Sequence, residues 1–138
     1  MSETIYFHLK IIGVILIALS LIHVVFPKYF NWKEELSRLS LINQELMKVH
    51  TFFIAVVVFL IGVLCLHSTH DLVHTDFGRT ISLGIGFFWC LRLITQFVGY
   101  SGEVWRGKRF ETVVHIIFTI LWIYLSLIFL WNGILNFD

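Results

Sequence analysis

The sequence predicts an all-α integral membrane protein: a four-helix bundle with up-down topology and one amphipathic interfacial helix between the first and second spans. Of the 138 residues, 58% are hydrophobic and only 14% are charged, whereas a soluble domain carries about 25% charged residues. Four apolar stretches are each long enough to cross a hydrocarbon core of about 30 Å. Lipid cannot satisfy backbone polar groups, so these stretches are expected to be helices within one domain over 1–138.

The first span is predicted at about 7–26. Its apolar run follows a segment that contains Glu3 and no basic residue before Lys10, and no A-x-A-like site comes before Pro27. A cleaved signal peptide has the opposite features, so a retained span is expected. Pro27, the only proline, is expected to end this helix.

The 27–49 connection has a helical pattern of its own. Asn31 is placed to cap a helix whose third residue is Glu34, close to a capping box. Apolar residues then recur at steps of three and four: Trp32, Leu36, Leu39, Ile42 and Leu46. The pattern predicts an amphipathic interfacial helix over about 31–47. Such a helix either packs beneath the bundle or docks a partner, and the sequence leaves both alternatives open.

The remaining spans are predicted at about 50–66, 81–100 and 113–131. Basic residues set the orientation, because cytoplasmic loops carry the excess of Lys and Arg. Seven lie in the 27–49 and 101–112 connections: Lys28, Lys33, Arg38, Lys48, Arg106, Lys108 and Arg109. The opposite side has only Lys10 and Arg79. We therefore expect a multi-pass protein of the cell (inner) membrane with both termini outside the cytoplasm.

Polar residues within the spans indicate a candidate cofactor-binding site, because such residues are costly in lipid. Counted along the helices, five of them fall in the cytoplasmic half of the bilayer: His23, His50, Arg92, Gln96 and His115. The alternative is a structural role, in which the histidines donate hydrogen bonds at the interface, Gln96 joins two helices and Arg92 extends to the interface or pairs with Glu45 or Glu111. Neutral imidazoles suit a divalent metal ion or a haem iron. A guanidinium suits a haem propionate, a lipid phosphate or a quinone carbonyl. Asp and Glu are lacking in the spans, which disfavours a carboxylate proton relay and a carboxylate-bridged di-iron centre.

A second histidine group lies in the connection after the second span. If that span continued as a helix, His67, His70 and His74 would share one face and bind a divalent metal. Solvated loop histidines and a pH-sensing role are the alternatives.

Three functional hypotheses follow. The first is a membrane protein whose pocket binds haem, a metal ion or a quinone-like ligand for redox or electron transfer. The alternative is a non-catalytic accessory subunit of a larger membrane complex or a homo-oligomer, and the third is an enzyme acting on an apolar substrate. A net charge of +1 disfavours nucleic acid as a partner.

Overall fold

A computed structural model describes residues 2–134. The helices are α1 (Ser2–Tyr29), α2 (Trp32–Glu35), α3 (Leu41–His67), α4 (Thr69–His74), α5 (Asp76–Val98) and α6 (Arg109–Ile134), with 3-10 turns at Leu36–Arg38 and Gly102–Val104. Four of them, α1, α3, α5 and α6, are long and apolar enough to cross a membrane. No strand occurs in the described part of the chain. The predicted all-α class with four long apolar helices is confirmed.

The described chain divides into two compact units. The α1/α3 unit is Leu9–Thr69, and the α5/α6 unit is residues 2–8 together with 70–134. The first unit contains α3 and α1 from Leu9 onward, and the second contains α4, α5, α6 and the beginning of α1.

In the α1/α3 unit the two helices approach each other closely at Gly13 and Gly62. A Cβ atom added to Gly13 would lie 2.9 Å from the Gly62 carbonyl oxygen, and one added to Gly62 would lie 2.9 Å from the Gly13 oxygen. Only glycine permits this backbone-to-backbone contact, which is typical of helix pairs in lipid. The Lys10 ammonium donates to the Leu66 carbonyl, which satisfies one of the free carbonyls near the end of α3.

The predicted helix end at Pro27 is wrong, because α1 continues to Tyr29. Proline removes one intrahelical hydrogen bond, and in the last turn the helix tolerates this loss. The Phe30 N–H donates to the Phe26 carbonyl at 2.9 Å and closes the turn.

The 31–47 segment differs from the continuous amphipathic helix that the sequence predicts. Helix α2 and its 3-10 turn end at Arg38, and the chain is extended at Leu39 (ψ 158°) and Ser40 (ψ 151°). Two extended residues interrupt the hydrogen-bond ladder, so the second half of the segment becomes the start of α3. Asn31 has a left-handed conformation (φ 48°), and its amide donates to the Glu34 carboxylate at 2.8 Å. The expected Asn31–Glu34 pairing therefore forms between side chains, without a side-chain bond from Asn31 to the backbone.

In the α5/α6 unit the two helices are antiparallel. A Cβ atom added to Gly86 would lie 2.9 Å from Leu130, and one added to Gly133 would lie 2.5 Å from Leu83. The paired residue numbers run in opposite directions along the chain, and the small residues allow the helices to pack tightly.

Asn132 joins three helices of the same unit. Its buried side-chain amide donates to the Leu72 carbonyl of α4 at 2.8 Å and to the Ser82 hydroxyl of α5 at 2.7 Å. An interior amide with satisfied donors fixes the relative positions of the elements that it joins.

Candidate functional site

Three of the five predicted site residues form one hydrogen-bonded chain in the α5/α6 unit. The Arg92 Nη1 atom lies 3.0 Å from Gln96 Oε1, and Gln96 Nε2 lies 2.6 Å from His115 Nδ1. Arg92 and Gln96 are one turn apart on α5, and His115 faces them from the first part of α6. The three residues are referred to below as the Arg–Gln–His chain.

The direction of each hydrogen bond in the Arg–Gln–His chain follows from the chemistry of arginine. A guanidinium has five N–H donors and no acceptor, so Gln96 must present its carbonyl oxygen to Arg92. The Gln96 amide nitrogen then donates to His115 Nδ1, which accepts through its lone pair. The neutral imidazole therefore carries its proton on Nε2, and this N–H remains available as a donor.

Aromatic rings hold both ends of this chain in place. The Trp105 indole stacks on the His115 ring with centroids 3.9 Å apart and an interplanar angle of 7°. The Arg92 guanidinium carbon lies 4.9 Å from the centroid of Trp122 and 5.9 Å from that of Tyr100. Both distances fall within the range of cation–π attraction. The aromatic rings thus stabilise a charge that has no carboxylate partner among the ion pairs of residues 2–134.

Two further residues of the site, Trp89 and Trp122, were not predicted as site residues from the sequence. Their rings stack with centroids 5.0 Å apart and an interplanar angle of 10°, and they are 2% and 5% exposed. Neither indole Nε1 has a hydrogen-bond partner within the described residues. Buried N–H groups without a partner are uncommon and require an explanation. Their spacing in the sequence could have indicated that they belong to the site. Trp89 precedes Arg92 by three residues and Trp122 follows His115 by seven, so each shares a helix face with a predicted site residue.

His23 and His50 belong to the α1/α3 unit and line different grooves. His23 is half-buried, and its Nδ1 lies 2.8 Å from the Leu19 carbonyl of its own helix. It lines a groove with Pro27 and Thr51, whereas exposed His50 lines a different groove with Asn43. A ligand site that includes His23 and His50 stays a prediction.

The three histidines of the second group do not lie on one continuous helix. Helix α3 ends at His67, and α4 begins only after Ser68. His70 and His74 lie on α4 with ring centroids 4.7 Å apart, and both are exposed. Between residues 2 and 134, no three or more His, Cys, Asp or Glu side chains are grouped so as to hold a metal ion. Metal binding by His67, His70 and His74 stays a prediction.

The four long apolar helices indicate a multi-pass membrane protein, in which the Arg–Gln–His chain lies within one helix pair. No protein-family model, curated protein or solved structure matches this chain.

Proposed function

We propose that this chain is a membrane protein that binds a quinone-like ligand, through Arg92 and His115, for redox or electron transfer. The observation that carries the proposal is the direction of the Arg–Gln–His chain, which offers hydrogen-bond donors at both of its ends. A quinone carbonyl has two lone pairs and accepts such donors without a proton of its own. The guanidinium would bind and polarise this carbonyl.

The same hydrogen bonds favour a quinone over haem or a metal ion. An imidazole coordinates a metal through a nitrogen lone pair. The Nδ1 lone pair of His115 already accepts from Gln96, and Nε2 carries the proton. Metal coordination would therefore require the Gln96 amide to turn, which would place its NH2 group against the Arg92 guanidinium.

The depth of Arg92 favours a neutral carbonyl over a lipid phosphate. Arg92 lies six residues before Val98, the end of α5, or about 9 Å along the helix axis. Removing a phosphate from water to that depth costs more than removing a carbonyl, because charged groups lose more hydration. We propose that this end of the α5/α6 pair lies at the cytoplasmic side, next to the basic 101–112 connection, with both termini on the other side.

Replacing Arg92 by leucine should remove the bound ligand. The full chain, purified from its native membrane in mild detergent, is extracted with organic solvent and analysed by oxidised-minus-reduced difference spectra. The unaltered protein is expected to hold about one quinone per chain. The quinone content of Arg92→Leu is expected to be at least tenfold lower, because a hydrogen bond from a charged group contributes about 1.5–3 kcal/mol to binding. Arg79→Leu is the matched control, because it removes a cation that pairs with Asp76 at the other end of the same helix.

Three results would contradict the quinone proposal. A Soret band in the absorption spectrum would show that the bound ligand is haem. A stoichiometric amount of metal would show that it is a metal ion. Equal ligand content in Arg92→Leu and Arg79→Leu would show that the quinone is carried by the detergent micelle.

The second candidate function is a non-catalytic accessory subunit of a larger membrane complex. It is supported by Leu39 and Leu46, which are 41% and 44% exposed although they belong to the apolar pattern of the 31–47 segment. If this segment docks a partner subunit, Leu39→Glu combined with Leu46→Glu should release the chain from a stable larger assembly in native gels. Ser37→Glu, an exposed position on the same segment, should leave that assembly intact. Recovery of the unaltered chain only as a free monomer would exclude this function.

A further inference from the structure

We infer that the α5/α6 site prefers the oxidised, carbonyl form of its quinone-like ligand over the reduced, hydroxyl form. This inference rests on the proposed function and adds which redox state the site selects. The distinguishing chemistry is simple: a quinone carbonyl only accepts hydrogen bonds, whereas a quinol hydroxyl also has a proton to donate. Selection therefore depends on whether the site offers an acceptor.

The two groups proposed to contact the ligand are both donors. Arg92 directs one N–H to Gln96 and has further N–H groups that no carboxylate engages within residues 2–134. His115 presents its Nε2–H, because its other nitrogen accepts from Gln96. A ligand at this position meets positive charge and N–H groups, which stabilise electron density on a carbonyl oxygen.

Both side-chain acceptors of the Arg–Gln–His chain are already engaged by protein donors. Gln96 Oε1 accepts from Arg92, and His115 Nδ1 accepts from Gln96. The Thr95 hydroxyl donates to the Arg92 carbonyl at 2.8 Å, and its oxygen lies 3.5 Å from the guanidinium. The Thr119 hydroxyl donates to the His115 carbonyl at 2.8 Å. Each threonine oxygen keeps its lone pairs, but a ligand hydroxyl that donated to Gln96 or His115 would have to compete with a bond that is already made.

The stacked indoles provide independent support for this shortage of acceptors. Trp122 contacts the Arg92 guanidinium through its ring face and Trp89 stacks on Trp122, yet both indole N–H groups are buried without a partner among the described residues. An unpaired buried N–H is unfavourable, so a free acceptor nearby would be expected to bind one of them. A quinol hydroxyl adds a third donor to a region that has not satisfied the first two.

A buried donor left without an acceptor weakens binding by about tenfold or more. The reduced ligand still binds, because its hydroxyl oxygen retains lone pairs for Arg92. Tighter binding of the oxidised form lowers the midpoint potential of the bound couple, by about 30 mV for each tenfold preference in a two-electron reaction.

The test compares the two redox forms of one probe on the full chain in detergent. The probe is a ubiquinone with one isoprene unit, used as the quinone and, under anaerobic conditions after chemical reduction, as the quinol. Equilibrium dialysis gives both dissociation constants for the unaltered protein, for Arg92→Leu and for Arg79→Leu. Arg92→Leu measures partitioning into the micelle, and Arg79→Leu reports the effect of removing a cation elsewhere on α5.

Each outcome has a separate meaning. A dissociation constant about tenfold lower for the quinone, in both the unaltered protein and Arg79→Leu, supports the inference. Equal affinity for the two forms, or tighter binding of the quinol, overturns the inference and leaves the proposed function standing. If neither form binds the unaltered protein better than it binds Arg92→Leu, the proposed function fails and the inference fails with it.

Discussion

Gly78→Ala should be the most destabilising single-methyl substitution in α5. A Cβ atom at Gly78 would lie 2.1 Å from the Asp71 carbonyl oxygen and 2.5 Å from the Leu72 Cα atom. Both neighbours are backbone atoms, so no side-chain rotation relieves the overlap, and α4 would have to move away from α5. The expected loss is about 3 kcal/mol or more in the free energy of unfolding, at the upper end of overpacking effects. The Thr75 hydroxyl, which accepts from the Gly78 N–H at 2.9 Å, would lose that bond if the start of α5 shifted.

Gly84→Ala is the matched control on the same helix. Nothing lies within 4 Å of a Cβ atom at Gly84, and alanine favours a helix over glycine by about 1 kcal/mol. Circular dichroism during heating in detergent should therefore show a lower unfolding midpoint for Gly78→Ala and an unchanged or higher one for Gly84→Ala. Equal midpoints for the two variants would mean that α4 and α5 are not in tight backbone contact at Gly78.

Gln96→Glu should reverse the proton position on His115. A carboxylate accepts at both oxygens, so the introduced side chain would accept from Arg92 through one oxygen and from His115 Nδ1–H through the other. The neutral imidazole would then carry its proton on Nδ1, and Nε2 would become an acceptor. The substitution changes one NH2 group to an oxygen and leaves the shape of the side chain unchanged.

The ¹⁵N chemical shifts of the histidine ring nitrogens report the tautomer directly. In detergent-solubilised protein at a pH where His115 is neutral, Nε2 should be the protonated nitrogen in the unaltered chain and Nδ1 in Gln96→Glu. Gln44→Glu, a change of the same kind in the α1/α3 unit, should leave the His115 signals unchanged. Retention of the Nε2–H tautomer in Gln96→Glu would contradict the donor direction on which the proposed ligand class depends.

The four long helices were predictable because their signal is compositional. Each apolar stretch reaches the length that a bilayer requires. The helices that contain 7–26, 50–66 and 113–131 extend beyond the predicted ends, whereas α5 begins before residue 81 and ends at Val98, two residues short of the predicted end. Local breaks were harder to predict. The apolar pattern continues past Leu39 and Ser40, so it predicted one continuous helix there. Serine prefers the position just before a helix, and Ser40 occupies that position before α3.

The sequence predicts two properties of the candidate site: how deep each residue lies along its span, and which face of its helix the residue occupies. Similar depth on α5 and α6 placed Gln96 and His115 near one level, and their side chains are bonded. The stacking of Trp105 on His115 and the unpartnered indoles of Trp89 and Trp122 depend on side-chain rotamers. Rotamers are selected by the packing of two helices together, which a pattern along one helix does not contain.

The side-chain amide of Asn132 determines when the α5/α6 unit can complete its folding during synthesis. Its acceptors, the Leu72 carbonyl and the Ser82 hydroxyl, lie at least 50 residues earlier in the chain than Asn132 itself. A ribosome adds about 5–20 residues per second, so α4 and α5 exist for seconds before the residue that joins them is made. The junction of α4, α5 and α6 at Asn132 is therefore completed only after the end of α6 has been synthesised, and a chain truncated before residue 132 would lack both hydrogen bonds.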